Sequence, residues 1–144
     1  MQRFRVAGYI RLSKEDKIKD ESNSVTNQKL IITSYIEKNE DLELIDFYID
    51  DGYSGTTFDR PDFKWMIRDI TENKVNTIIV KDLSRFGRNH IESDNYLENI
   101  LPGYNVRFIS IIDDINSLKN HKSINSIAVP LKNLMNDQYA RDIS

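Results

Sequence analysis

The stretch Thr77-Ile78-Ile79-Val80, running on into Lys81-Asp82-Leu83-Ser84-Arg85-Phe86-Gly87-Arg88-Asn89, decides the fold. A short apolar, β-branched run closed by charged residues is the kind of strand that lies at the centre of a parallel sheet, covered on both faces. Upstream, Phe4 to Leu12 and Leu42 to Ile49 also read as strands, and downstream so does Val106 to Ile112. Helix-period segments alternate with them, which predicts an α/β layer fold.

Ser22-Asn23-Ser24 supplies short polar side chains able to cap a helix carrying Leu30, Ile31, Tyr35 and Ile36. Past the turn-rich Asp51 to Thr57, Pro61 suits a first helical turn, and Phe63, Met66, Ile67 and Ile70 then fall on one helical face. Asn89 and Glu92 have capping-box spacing for a helix with Leu97, Ile100 and Leu101, which Pro102-Gly103 is expected to stop. Asp113 to Ser126 reads as irregular and polar. After Pro130, the set Leu131, Leu134 and Met135 opens a helix still running at Ser144, as though the chain were cut from a longer protein.

A chain of 144 residues suffices for one domain. With no cysteine, disulfides and thiolate metal sites are excluded, and a reducing, cytoplasmic setting is expected. No run approaches the ~20 apolar residues of a membrane span, so no membrane partner is expected. The net charge of −3 opposes nucleic-acid binding by bulk electrostatics; any such role requires cations concentrated at one site, or a basic region elsewhere in the protein.

Ligands of open α/β sheets bind beyond the carboxyl ends of the strands, where strand order reverses. The first strand ends Tyr9-Ile10-Arg11-Leu12-Ser13, and alternation puts Arg11 and Ser13 on one side. The central strand ends in Lys81 to Asn89, where Arg85 and Arg88 share a face if the segment is helical. In the usual winding order these strands are neighbours, so one hydroxyl and three guanidinium groups meet in one crevice. Arginine's planar fork matches phosphate oxygens and keeps its charge through a hydroxyl attack on phosphorus, each contact worth about 3 kcal/mol by analogy with oxyanion donors.

Taken together, Tyr9-Ile10-Arg11-Leu12-Ser13, Gln28, Asp51-Gly52-Tyr53-Ser54-Gly55, Arg60-Pro61 and Asp82 to Arg88 resemble the resolvase/invertase catalytic domain of serine recombinases. The tail from Leu134 to Ser144 is similar to the large, transposon-type branch. The resemblance implies a three-layer α/β/α domain over residues 1–126 with a mainly parallel sheet. It implies that residues 127–144 start a long helix leading to a DNA-binding region. It also implies that Ser13 attacks double-stranded DNA at specific sites to form a 5′-phosphoserine link, that dimers and tetramers exchange the strands, and that no metal or nucleotide takes part. Carried over residue by residue, Arg11, Arg85 and Arg88 surround the phosphate, Gln28 and Arg60 assist, and Arg60 and Arg141 join the DNA contacts. Small resolvases have an aspartate where this chain has Ser84; Asp82, two residues earlier, either acts chemically or orients the arginines.

Other readings start from the same residues. Asp82 is the phosphoacceptor if the domain is a receiver-like signalling module, although such modules need acids after the first strand, where this chain has Arg11 and Ser13. A catalytically inactive, recombinase-like interaction domain is the third reading. Asp50-Asp51 and Asp113-Asp114 offer carboxylates to a hard cation, against commoner turn and cap roles. No Gly-rich phosphate loop and no His-Glu-x-x-His motif is present.

Overall fold

A computed structural model describes residues 3–14 and 23–117. The boundary expected at 126, the helix from 127 and Arg141 lie outside the described residues.

The elements follow in the order β1 (Phe4–Leu12), α1 (Val25–Glu37), β2 (Leu42–Asp51), α2 (Pro61–Thr71), β3 (Thr77–Val80) and α3 (Leu83–Phe86). Next come α4 (His90–Asn95), a π-helical turn (Tyr96–Ile100), α5 (Leu101–Gly103), β4 (Arg107–Ser110) and β5 (Ile115–Asn116). The sheet runs β2-β1-β3-β4-β5, parallel except for β5. Its layers are those expected. Val6, Ile10, Ile79 and Ile109 pack towards Ile32 of α1, whereas Ala7, Tyr9, Ile78 and Val80 pack towards Phe63, Met66 and Ile70 of α2 and towards Leu97 and Leu101. Because the chain leaves β1 for one neighbour and later returns to the other, the order reverses between β1 and β3, and a crevice opens beyond their carboxyl ends.

Local chemistry explains most boundaries. Ser24 caps α1 by accepting from the Asn27 amide at 3.0 Å. Asn89 caps α4 by accepting from the amides of Ile91 and Glu92 at 3.2 and 3.3 Å. After α2, Asn73 takes the left-handed conformation (φ 61°), the Asn73 amide donates to the Ile70 carbonyl, and the Lys74 amide donates to Asp69 at 2.8 Å, a Schellman closure.

The helix through Leu101 ends at Gly103, as expected, and Asn105 (φ 57°) closes it, with the Val106 amide donating to the Leu101 carbonyl at 2.9 Å. Three expectations are corrected. First, α1 buries Ile32 and the polar Gln28 and leaves Leu30 62% exposed, because Gln28 turns inward to main-chain carbonyls and rotates the buried face away from the apolar spacing. Secondly, the strand expected over Val106 to Ile112 is a strand only over Arg107–Ser110. Finally, the stretch read as irregular contains β5, too short to show an alternating pattern. Asp114 (φ 54°) makes the reversal, and a pair of bonds between Phe108 and Ser117 at 2.8 and 2.9 Å fixes it.

Candidate active site beyond β1 and β3

Ser13 follows the last residue of β1 and lines a cleft of about 360 Å³ with Arg11, Lys14, Gly52, Ser54, Gly55, Thr56 and Arg88. Among the described residues that line it, three are cations and none is an acid, a local positive balance in an acidic chain. Gly52, with φ 93°, makes the turn after β2, and its amide and that of Tyr53 both donate to the Leu12 carbonyl, closing the far wall onto the end of β1.

Arg11 is fully buried behind that wall. Its Nη1 donates to the Tyr53 carbonyl at 3.1 Å and its Nη2 to the Ser84 carbonyl at 2.6 Å. Burial, and then repulsion from Arg85, Arg60 and Arg88, lower its pKa to about 10. Gly55 must be small here: a Cβ would lie 2.7 Å from Arg11 Nη2 and 3.0 Å from Arg88 Cγ.

The β3 side contributes α3. Asp82 caps it, accepting from the Arg85 amide at 3.3 Å and from the Ser84 hydroxyl, and stands 3.6 Å from Arg85 Nε. The Leu83 amide is taken by Asp113 at 2.8 Å, and Asp113 is itself held by the Ser110 hydroxyl at 2.7 Å. Arg85 Nη1 reaches across to the Arg11 carbonyl at 2.9 Å, and Gln28 Nε2 reaches the same oxygen from α1 at 3.1 Å. The helix ends before Arg88, so Arg85 and Arg88 do not share a helical face as the spacing suggested. Arg85 is buried behind the cleft and Arg88 is exposed on it, its amide donating to the Gly55 carbonyl at 2.6 Å. An extended Gly87 allows this path, since a Cβ there would run into the Phe58 ring.

Arg60 lies deeper still, with no exposed surface. Its Nε donates to the Thr57 carbonyl at 2.7 Å, Nη1 to the Tyr9 hydroxyl at 2.8 Å, and Nη2 to the Phe86 carbonyl at 2.7 Å, while the group sits 4.6 Å from the Phe58 ring centre and 5.0 Å from that of Phe63. The structure thus brings Ser13, Arg11 and Arg88 onto the cleft, puts Arg85, Gln28 and Asp82 immediately behind it, and sets Arg60 in the core. Sequence reasoning assigned no role in this cleft to Tyr9, and considered Asp50 and Asp113 only as candidate ligands of a cation or as turn and cap residues. For Asp50 a signal existed: it shares strand parity with the buried Tyr48, so its carboxylate had to point into the core and find donors there.

Fold and cleft together define a class: an α/β domain that presents a serine at the end of its first strand, with arginines around it, at the switch point of a largely parallel sheet. The chain belongs to the family described as Resolvase, N terminal domain, whose model matches residues 6–143. Solved structures share the fold. The N-terminal catalytic domain of TP901-1 integrase is 23% identical with a TM-score of 0.75, the match covering 97% of this chain and 98% of that one. A resolvase family site-specific recombinase from Streptococcus pneumoniae is 28% identical with a TM-score of 0.72, covering 98% and 93%. A serine recombinase from Sulfolobus solfataricus is 23% identical with a TM-score of 0.58, covering 76% and 69%. No curated protein matches the chain.

Proposed function

We propose that the protein cuts and rejoins DNA at specific sites by serine transesterification. Family membership and the likeness to recombinase catalytic domains support site-specific recombination as the activity. The observation that carries the finer reading is the shared cleft of Ser13, Arg11 and Arg88, with Arg85 braced against the Arg11 carbonyl. In the forward step the Ser13 oxygen forms a bond to phosphorus, the bond from phosphorus to the 3′ oxygen breaks, the serine proton leaves and the 3′ oxygen gains one. The phosphodiester energy is kept in the 5′-phosphoserine link, and attack by a 3′-hydroxyl reverses the step.

A phosphate oxygen entering the cleft takes the place of the Tyr53 carbonyl at Arg11 Nη1 and meets Arg88 from the open side. Such charged donors stabilise the pentacovalent state by about 3 kcal/mol each. Asp82 orients Arg85, a role that fits its position as a helix cap. Exchange of strands requires dimers and then tetramers of the complete protein. The test is to incubate the complete protein with its cognate DNA in EDTA, trap the cleaved state and map the linked residue. A Ser13-linked 5′ end is the expected result; an adduct that survives Ser13→Ala overturns the mechanism.

A further inference from the structure

Two fully or almost fully buried titratable groups, Tyr9 and Asp50, have no part in the chemistry above. The Asp50 carboxylate accepts from the Tyr9 hydroxyl at 2.7 Å and from the amides of Asp62 and Phe63 at 2.9 and 3.0 Å. It thus caps α2 from a neighbouring strand, where Arg60, the residue at the cap position, offers no side-chain bond. With its O–H directed at Asp50, the phenol oxygen is left to accept from Arg60 Nη1 at 2.8 Å. Arg60 then reaches the Phe86 carbonyl at 2.7 Å and the Arg85 carbonyl at 3.4 Å. The chain of bonds runs from carboxylate to phenol to guanidinium to the backbone of α3, linking β2, β1, α2 and α3.

Stability alone does not account for this arrangement, since buried charges are commonly matched or bettered by apolar packing. What it supplies is geometry, because a planar fork with its orientation fixed at one edge holds two successive carbonyls at the other. We infer that Asp50 and Tyr9 are positioning residues, acting through Arg60 on the main chain of Arg85 and Phe86 to set where Arg85 stands behind the cleft. The inference rests on the recombinase reading for its effect on rate, but not for the coupling itself.

Tyr9→Phe is the primary variant, since it removes one hydroxyl and keeps the ring. In the complete protein, well below its melting temperature, single-turnover DNA cleavage falls at least about tenfold, the scale of a misplaced reacting group, while DNA affinity stays within about twofold. Arg85→Ala alone and the Tyr9→Phe, Arg85→Ala pair cleave at rates within about twofold of each other, because Tyr9 works through Arg85. A purely structural tyrosine gives additive losses and overturns the inference. Without DNA, amide exchange at Arg85 and Gly87 speeds up in Tyr9→Phe and in Asp50→Asn. Unchanged exchange at both amides overturns the coupling whether or not the protein cleaves DNA. Absence of cleavage by the unaltered protein counts against the recombinase reading and leaves the exchange result to decide the relay.

Discussion

Nη1 of Arg85 donates to the carbonyl oxygen of Arg11 at 2.9 Å, so a side chain from the β3 end fixes the backbone two residues before Ser13. The nucleophile and its cationic surroundings are therefore one mechanical unit. Arg85→Lys keeps the charge but loses the fork that spans the Arg11 carbonyl and Asp82. Cleavage is expected to fall by roughly a hundredfold, the equivalent of about 3 kcal/mol of transition-state stabilisation. Single-turnover kinetics check this, and a near-normal lysine variant counts against a phosphate clamp.

Gly55→Ala tests the tightness of the cleft. The added methyl lies 2.7 Å from Arg11 Nη2, so the guanidinium has to move. Since Gly55 does not occupy the left-handed region, the expected cost falls on activity: cleavage drops about tenfold or more while the melting temperature stays close to that of the parent. Parallel thermal melts and cleavage assays separate the two effects.

The buried charge of Arg11 predicts anion-dependent stability. Burial and the neighbouring arginines lower its pKa in the folded domain to about 10, below the ordinary guanidinium range, so folding disfavours the protonated form. That destabilisation is complete below pH 10 and lessens as the pH rises above 10 towards the ordinary range. An anion in the cleft counters it at neutral pH. Sulfate at ten times its dissociation constant is expected to stabilise the domain by about 1.4 kcal/mol, beyond the effect of chloride at equal ionic strength, and Arg88→Ala to lose that increment. Equal shifts with both salts in calorimetric melts contradict an anion site.

The register of α1 makes a paired prediction. Ile32 is fully buried and Leu30 is 62% exposed. Ile32→Ala is expected to cost about 2–5 kcal/mol and Leu30→Ala less than about 0.5 kcal/mol, as measured by denaturant unfolding.

That pair also shows where the sequence could be read and where it could not. The central strand, the face of α2 and the caps at Ser24 and Asn89 follow from local pattern, because there local preference and burial agree. The polar Gln28 inside α1 escapes pattern because its partner is a main-chain group on another element, at Arg11, and β5 escapes because two residues paired through a tight reversal with β4 are too few to alternate. The site was legible in part for the same reason. Its members sit at strand ends that topology brings together, but whether an arginine faces the cleft, as Arg88 does, or is buried behind it, as Arg60 is, depends on packing that spacing does not encode.

Arg11 and Arg60 are held mostly by carbonyl oxygens, those of Tyr53, Ser84, Thr57 and Phe86, rather than by the side chains at those positions. At Tyr53 any amino acid that keeps its main-chain N–H offers the same oxygen in nearly the same place. Drift, or deliberate redesign, can therefore rewrite the outward-facing Tyr53 without retuning the cationic machinery, whereas an insertion or deletion between Tyr53 and Thr57 shifts the oxygens of these two residues relative to each other. The loop is thus sensitive to a change of length, and to a change of letter at Gly52 and Gly55 but not at Tyr53.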